Sequence, residues 1–87
     1  MNMSSAELER AMSDILSDAA QTLPGESFEE ARRYIDHNEF ELALDTIAAT
    51  VAEAGKRVDA NLYAKFVQLG NEMQLAETFW ERIRPDE

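Results

Sequence analysis

The sequence predicts a small all-α domain, a bundle of four to five helices with a central antiparallel helical hairpin. Three observations support this prediction. Every apolar pattern along the 87 residues recurs at steps of three and four, which is the period of a helix. Residues typical of helix starts and stops divide these patterns into segments of helical length. No window alternates apolar and polar residues as a half-buried strand would.

The first helix is predicted to begin near the amino terminus. Ser4 and Glu7 have the spacing of a capping box, in which two side chains satisfy backbone amides at the helix start. Pro24-Gly25 is expected to end the segment, because neither residue favours a continuing helix. The apolar stripe of this helix consists of Leu8, Met12, Ile15, Leu16, Ala19 and Leu23.

Two further helices are predicted to form the hairpin. Ser27 with Glu30 repeats the capping-box spacing and predicts the start of the second helix. Asn38 is predicted to end it, because asparagine tolerates the left-handed conformation that terminates many helices. The third helix follows and ends at Gly55, so the pair turns around residues 37–39. The residues predicted to face inward are Phe28, Ala31, Tyr34 and Ile35 on the second helix, and Phe40, Ala43, Leu44, Ile47, Val51 and Ala54 on the third.

Leu42 does not belong to the apolar stripe of the third helix. On a helical wheel it lies opposite the face that carries Leu44 and Ile47. Two interpretations follow from this position. Either the third helix is packed on two sides, which we expect for the middle helix of a small bundle, or Leu42 is exposed and available to a partner.

Asp59 is the predicted cap of a fourth helix. Gly70 lies beside the apolar stripe of that helix, where a missing side chain lets another helix approach closely. The sequence leaves open whether the next stripe is a fifth helix or a bent continuation of the fourth. Aromatic residues at helical spacing are usually core residues, so we assign Tyr63 and Trp80 to the core. The two stripes contain Leu62, Tyr63, Phe66, Leu69 and Met73, followed by Leu75, Phe79 and Ile83.

The length fits one domain over residues 1–87, with flexible termini expected at 1–4 and 85–87. The first residues have neither the basic start nor the apolar stretch of a signal peptide, so the expected compartment is the cytoplasm. Four large residues are predicted to be buried in the core, and these are Phe40, Leu44, Ile47 and Phe66.

The residue types present argue against catalysis and against metal binding. The chain has no cysteine, and one histidine cannot supply the imidazoles that most catalytic metal sites use. It contains no glycine-rich phosphate loop and no nucleophile elbow. Adjacent carboxylates on short helices are usually solvated surface. We therefore expect no enzyme activity, no cofactor and no metal.

The charge of the chain indicates the kind of partner. The formal net charge is −10, and phosphate binding needs clustered lysine and arginine, so neither nucleic acid nor an anionic membrane is an expected partner. Residues 1–54 carry twelve acidic and three basic side chains, whereas residues 55–87 carry six and five. The acidic field therefore belongs to the first two thirds of the chain and favours a basic partner. The oligomeric state is open, with a monomer favoured.

The hairpin gathers most of the candidate contact residues. His37 has three possible roles. It could contact the last carbonyls of a helix or be a contact residue in a binding loop. A role as a general base ranks third. An alternative acidic surface lies on the first helix around Glu7, Asp14 and Asp18. The residues assigned to partner binding are Asp36, His37, Glu39, Glu41 and Asp45, together with Glu29 and Glu30.

The segment from Ala31 to Asp45 resembles a segment of MafI-like immunity proteins, and of related immunity proteins in contact-dependent growth inhibition and other polymorphic toxin systems. In that pattern an aliphatic residue precedes a polar pair, then Glu, an aromatic residue, two further residues and Ala-Leu-acid. Family members often carry glycine where Gln74 stands here. The likeness extends over roughly residues 28–84 and includes, in its second half, Leu62-Tyr63, Leu69, Met73-Gln74-Leu75 and the stretch from Trp80 to Ile83.

The resemblance implies a protein that binds a bacterial toxin made by its own cell or by sibling cells and blocks it without catalysis. Many such toxins are nucleases with basic clefts, which an acidic helical surface can occupy. An alternative in a different class is an acidic adaptor or regulator that binds a basic protein such as a transcription factor. A third hypothesis is an enzyme or metal carrier whose active groups are the carboxylates, and we rank it last.

Overall fold

Four helices of 12 to 15 residues and one single-turn helix make up the protein in the computed structural model. The structure describes residues 3–55, 58–75, 78–81 and 83, and among them there is no β-strand. The predicted all-α fold is confirmed. The helices are α1 (Ser5–Ala19), α2 (Gly25–Asp36), α3 (Phe40–Ala54), α4 (Ala60–Glu72) and α5 (Thr78–Glu81).

One apolar core joins the five helices. The α2–α3 hairpin has the most extensive helix contact, α1 packs against α2, α3 and α4, and α5 packs against α3 and α4. The radius of gyration is 11.7 Å, close to the roughly 12 Å expected for a compact domain of this length. All four residues predicted as core are buried: Phe40, Leu44, Ile47 and Phe66.

The start of α1 is the predicted capping box. The Glu7 amide donates to Ser4 Oγ at 3.2 Å, and the Ser4 amide donates to Glu7 Oε1 at 3.2 Å. Met3 is partly buried against the core. Residues 1–2 and 85–87 lie outside the described residues. The whole predicted stripe of this helix is buried, from Leu8 to Leu23.

The predicted start of α2 is wrong by three residues, because the capping-box spacing makes Ser27 the N-cap and the structure has Pro24 there. The helix begins at Gly25, with Pro24 as its N-cap, and Ser27 lies inside the first turn. Pro24 has extended backbone angles, and its carbonyl accepts the Phe28 amide at 3.0 Å, which closes the first turn without a side-chain cap. Leu23 and Phe28 occupy the two positions of a hydrophobic staple, and both belong to the apolar core. The position of the helix start therefore agrees with the Leu23–Phe28 staple and not with the Ser27–Glu30 capping-box spacing.

The end of α2 is a Schellman motif, in which two amides beyond the helix bond back to its last carbonyls. The Asn38 amide donates to the Ile35 carbonyl at 3.0 Å, and the Glu39 amide donates to the Tyr34 carbonyl at 2.8 Å. Asn38 adopts a positive φ of 59°, as the sequence predicted. The turn between the hairpin helices is therefore fixed by backbone hydrogen bonds.

A second Schellman motif ends α4 and shows that α5 is a separate helix and not a bent continuation of α4. The Leu75 amide donates to the Gly70 carbonyl at 2.9 Å, and the Gln74 amide donates to the Asn71 carbonyl at 3.0 Å. Gln74 has a φ of 59°, which breaks the helix, and α5 is a separate element. Asp59 caps the other end of α4 by accepting the Leu62 amide at 2.8 Å, as predicted.

Replacing Gln74 with glycine should stabilise the protein. A side chain in the left-handed region costs about 1–2 kcal/mol, and glycine removes that cost while adding some entropy to the unfolded chain. We expect a net gain of about 0.5–1 kcal/mol in the free energy of unfolding, measured by urea denaturation. Gln74→Ala is the control, because it keeps the Cβ and should not gain stability. Equal effects of glycine and alanine would contradict the left-handed assignment.

Most of the remaining core predictions hold. Trp80 is buried, and Tyr63 is half-buried against the core. Gly55 ends α3 with a φ of 68°, as predicted. Ala54 was predicted to face inward but is exposed, because the buried face of α3 ends one turn earlier at Val51. The side chain of Phe79 lies outside what the structure describes.

Lys65 connects α4 to α1. Its Nζ lies 2.8 Å from Asp14 Oδ2 and 2.5 Å from Asp18 Oδ2. The two aspartates are four residues apart on one face of α1, so Lys65 offsets their mutual repulsion. The hydrogen bond to Asp14 is the main cause, and the one to Asp18 the next, of a Lys65 pKa raised above its ordinary value of 10.5.

A raised lysine pKa fixes the pH range in which this bridge stabilises the fold. Its contribution is fully present below pH 10.5 and is lost as the pH rises further, when the folded lysine also loses its proton. The difference in unfolding free energy between the native protein and Lys65→Met should therefore stay constant from neutral pH to about pH 10 and then shrink. Urea denaturation at a series of pH values measures it. A difference that grows above pH 10.5 would contradict the bridge.

Candidate functional site

All seven residues that the sequence assigned to partner binding lie exposed on the α2–α3 hairpin. Glu29, Glu30 and Asp36 belong to α2, and Glu41 and Asp45 to α3. His37 and Glu39 lie in the turn that joins the helices. We call the exposed group at this end of the hairpin the acidic tip, and it consists of Asp36, His37, Glu39 and Glu41.

The Schellman motif explains why the acidic tip is presented outward. Asn38 reverses the chain within three residues, and the next helix begins immediately at Phe40. Phe40 is buried and anchors the turn to the core. The charged residues on either side of it therefore point to solvent from a turn whose backbone is held at both ends.

Two shallow depressions flank the acidic tip, and Glu39 lines both. The first has a volume of about 320 Å³ and is lined by Glu30, Arg33, Tyr34, His37 and Glu39. The second has a volume of about 420 Å³ and is lined by Leu8, Asn38, Glu39, Phe40, Glu41, Leu42 and Met73. Four of the seven assigned residues thus line a depression, whereas Glu29, Asp36 and Asp45 line neither.

His37 caps α2 through its backbone. Its amide donates to the carbonyls of Arg33 and Tyr34, each at 3.2 Å. A backbone cap can be made by any residue other than proline, so it does not require an imidazole. The His37 side chain is exposed and lines the first depression together with Glu30, Arg33 and Glu39.

Leu42 is exposed, so the expectation that α3 packs on two sides is wrong at this residue. Its relative exposure is 47%, and it is the one large apolar side chain that is exposed among the described residues. The face of α3 that carries Leu44 is buried, while the opposite face is left uncovered at this level. The second interpretation, in which Leu42 is available to a partner, fits the structure.

The second depression, which we call the Leu42 groove, combines apolar and acidic surface. Leu8 and Phe40 are buried side chains at its edge, Met73 is half-buried and Leu42 is exposed. The polar part of the lining comes from Asn38, Glu39 and Glu41. Leu8 and Met73 could not be assigned to this groove from the sequence, because they come from the start of α1 and the end of α4. The position of Leu42 outside its stripe was the available signal.

The alternative acidic surface on α1 is occupied within the chain. Asp14 and Asp18 both bind Lys65. Glu7 accepts the Ser4 amide in the capping box. These three carboxylates have partners within the chain.

The chemistry available at the hairpin is that of a charged, solvated surface. No polar side chain is buried in the part of the chain that the structure describes. The same part holds no group of three His, Asp or Glu residues placed to bind a metal ion. In the described ranges no helix has both the length and the apolar character needed to span a membrane.

No family model, curated protein or solved structure matches the chain.

Proposed function

We propose that the protein is a cytoplasmic, non-catalytic immunity protein that binds a basic bacterial toxin of the nuclease type and neutralises it stoichiometrically as a monomer. The observation that supports this most is the exposed acidic tip on a turn held by backbone hydrogen bonds. The acidic tip lies within the segment from Ala31 to Asp45, which resembles MafI-like immunity proteins. Surface geometry and sequence likeness therefore favour the same part of the molecule.

The acidic tip has the charge and rigidity that this role requires. A nuclease cleft concentrates lysine and arginine to hold phosphates, and carboxylates at a protruding turn are attracted to such a cleft. Opposite fields steer the two proteins together and raise the association rate. Because the turn is already ordered by the Asn38 and Glu39 amide bonds, little conformational entropy is lost when it binds.

The test is a titration of toxin activity. It uses the toxin domain of a secreted protein encoded beside this chain, which the proposal requires to exist and to be basic. Nuclease activity should fall in proportion to added protein and reach zero at one equivalent. Cells that express the toxin should survive when they also express this chain.

A matched pair of variants locates the effect. Glu39→Lys with Glu41→Lys reverses two charges at the acidic tip, and it should abolish protection while leaving the helical circular dichroism spectrum unchanged. Glu26→Lys with Glu53→Lys makes the same change of net charge at the other end of the hairpin, and it should protect. If the native protein leaves toxin activity unchanged and instead binds a transcription regulator, the adaptor function replaces this proposal.

A further inference from the structure

We infer that the Leu42 groove binds an apolar side chain from a basic segment of the partner protein, one in which lysine or arginine flanks the apolar residue. The inference rests on the proposed function only for the identity of that partner as a toxin. It assigns separate roles to the groove and to the acidic residues that border it.

The apolar surface of the groove is unusual for this protein. Twenty apolar residues are buried in the described structure, and Leu42 is the one large apolar side chain left 47% exposed. Leu8, Phe40 and Met73 line the same depression, so the exposed leucine lies beside other apolar side chains, of which Met73 is half-buried. Methionine is flexible and polarisable, which suits a surface that must fit an incoming side chain.

The charges that line the groove favour a basic segment over a second copy of this chain. Glu39 and Glu41 line it, and among the residues that the structure describes no basic side chain does. A second copy of this chain would bring its own carboxylates against them, in a protein of net charge −10. Like charges placed opposite each other disfavour that association. A segment with lysine or arginine beside an apolar residue satisfies both the charge and the apolar surface.

The apolar and the charged residues of the groove are expected to affect different rate constants of binding. Charged residues at the edge of an interface mainly affect the association rate, whereas a desolvated apolar anchor mainly affects dissociation. Leu42 is therefore expected to control how long the complex lasts, and Glu39 and Glu41 how fast it forms.

The first test needs no toxin. A short amphipathic peptide of lysine and leucine is titrated into the ¹⁵N-labelled protein, and a peptide with serine in place of leucine serves as the control. The leucine peptide should give saturable chemical-shift changes centred on Phe40, Leu42 and Met73, and the serine peptide should bind at least about tenfold more weakly. Leu42→Ala should weaken binding of the leucine peptide by about tenfold while the spectrum stays that of a folded protein.

Three results would overturn the inference. First, the two peptides could bind equally well, which would mean that charge alone accounts for the binding and that the leucine side chains do not contribute. The shift changes could centre elsewhere, for example on the depression at Arg33. The protein alone could dimerise in sedimentation equilibrium, with Leu42→Ala abolishing the dimer, which would make the groove an interface between copies of this chain.

The second test uses the toxin and separates the two proposals. With the toxin domain, Leu42→Ala should raise the dissociation rate by about tenfold with little change in the association rate. If the native protein inhibits the toxin and Leu42→Ala leaves dissociation unchanged, the groove inference fails and the proposed function stands. If the leucine peptide binds the groove but no toxin is inhibited, the proposed function fails and the groove remains a binding site.

Discussion

Replacing Leu44 with alanine should lower the free energy of unfolding by about 2–5 kcal/mol. Leu44 is fully buried on the face of α3 that forms the core. Alanine would remove apolar contacts and leave a cavity that the surrounding helices fill only in part. A domain of this size has a total stability of roughly 5–15 kcal/mol, so the loss is a large fraction of it. Thermal unfolding followed by circular dichroism should show a fall in Tm of about ten degrees or more.

Leu42 offers a matched control for this substitution. It lies two residues away on the same helix, and Leu42→Ala removes the same atoms from an exposed position. Because alanine is a good helix former, the change in stability should stay within about 0.5 kcal/mol. If the two variants lose equal stability, the assignment of Leu44 to the buried face of α3 and of Leu42 to the exposed face is wrong. Leu42 would then not be available to bind a partner in the groove.

Gly70→Ala should cost about 1–3 kcal/mol, although alanine normally favours a helix by about 0.5–1 kcal/mol over glycine. A Cβ placed on Gly70 would lie 2.6 Å from Trp80 Cε3 and closer still to Cζ3. The indole is 7% exposed, so it has little room to move aside. Overpacking should therefore displace the ring and the short helix α5 that carries it. Trp80 is the one tryptophan of the chain, so its fluorescence emission should shift to the red in the variant.

Gly25→Ala is the control for that experiment. A Cβ at Gly25 meets nothing within 4 Å, and the residue lies in the first turn of α2. The control should leave tryptophan emission unchanged and stability equal or slightly higher. A Gly70→Ala variant with unchanged emission and stability would show that the indole does not pack on α4.

Local signals in the sequence predicted most of the fold. The Ser4 capping box, the Asp59 cap and the Asn38 turn each depend on residues within one helical turn, and each is present. The predicted start of α2 is wrong because Ser27 and Glu30 have the right spacing, while Pro24 and the Leu23–Phe28 staple place the helix start earlier. Competing local signals of similar strength cannot be ranked from spacing alone.

The candidate site was predicted only in part, for a physical reason. A polar turn between two apolar stripes must lie at the surface, so the exposure of residues 36–41 could be expected, Phe40 excepted. Whether a helix covers Leu42 depends on how α1, α4 and α5 are arranged around α3, which periodicity does not encode. Leu8 and Met73 join the groove for the same reason, through the packing of elements far apart in sequence.

Measuring the association rate constant as a function of ionic strength tests the proposal that the acidic tip contacts a basic toxin. For the native protein the rate should fall steeply as salt screens the attraction. Glu39→Lys with Glu41→Lys should slow association by about tenfold or more at low salt and approach the native rate at high salt. Glu26→Lys with Glu53→Lys, which changes the net charge equally, should slow it much less. Equal slowing by the two variants would contradict the proposal, because it would mean that total charge matters and the acidic tip does not.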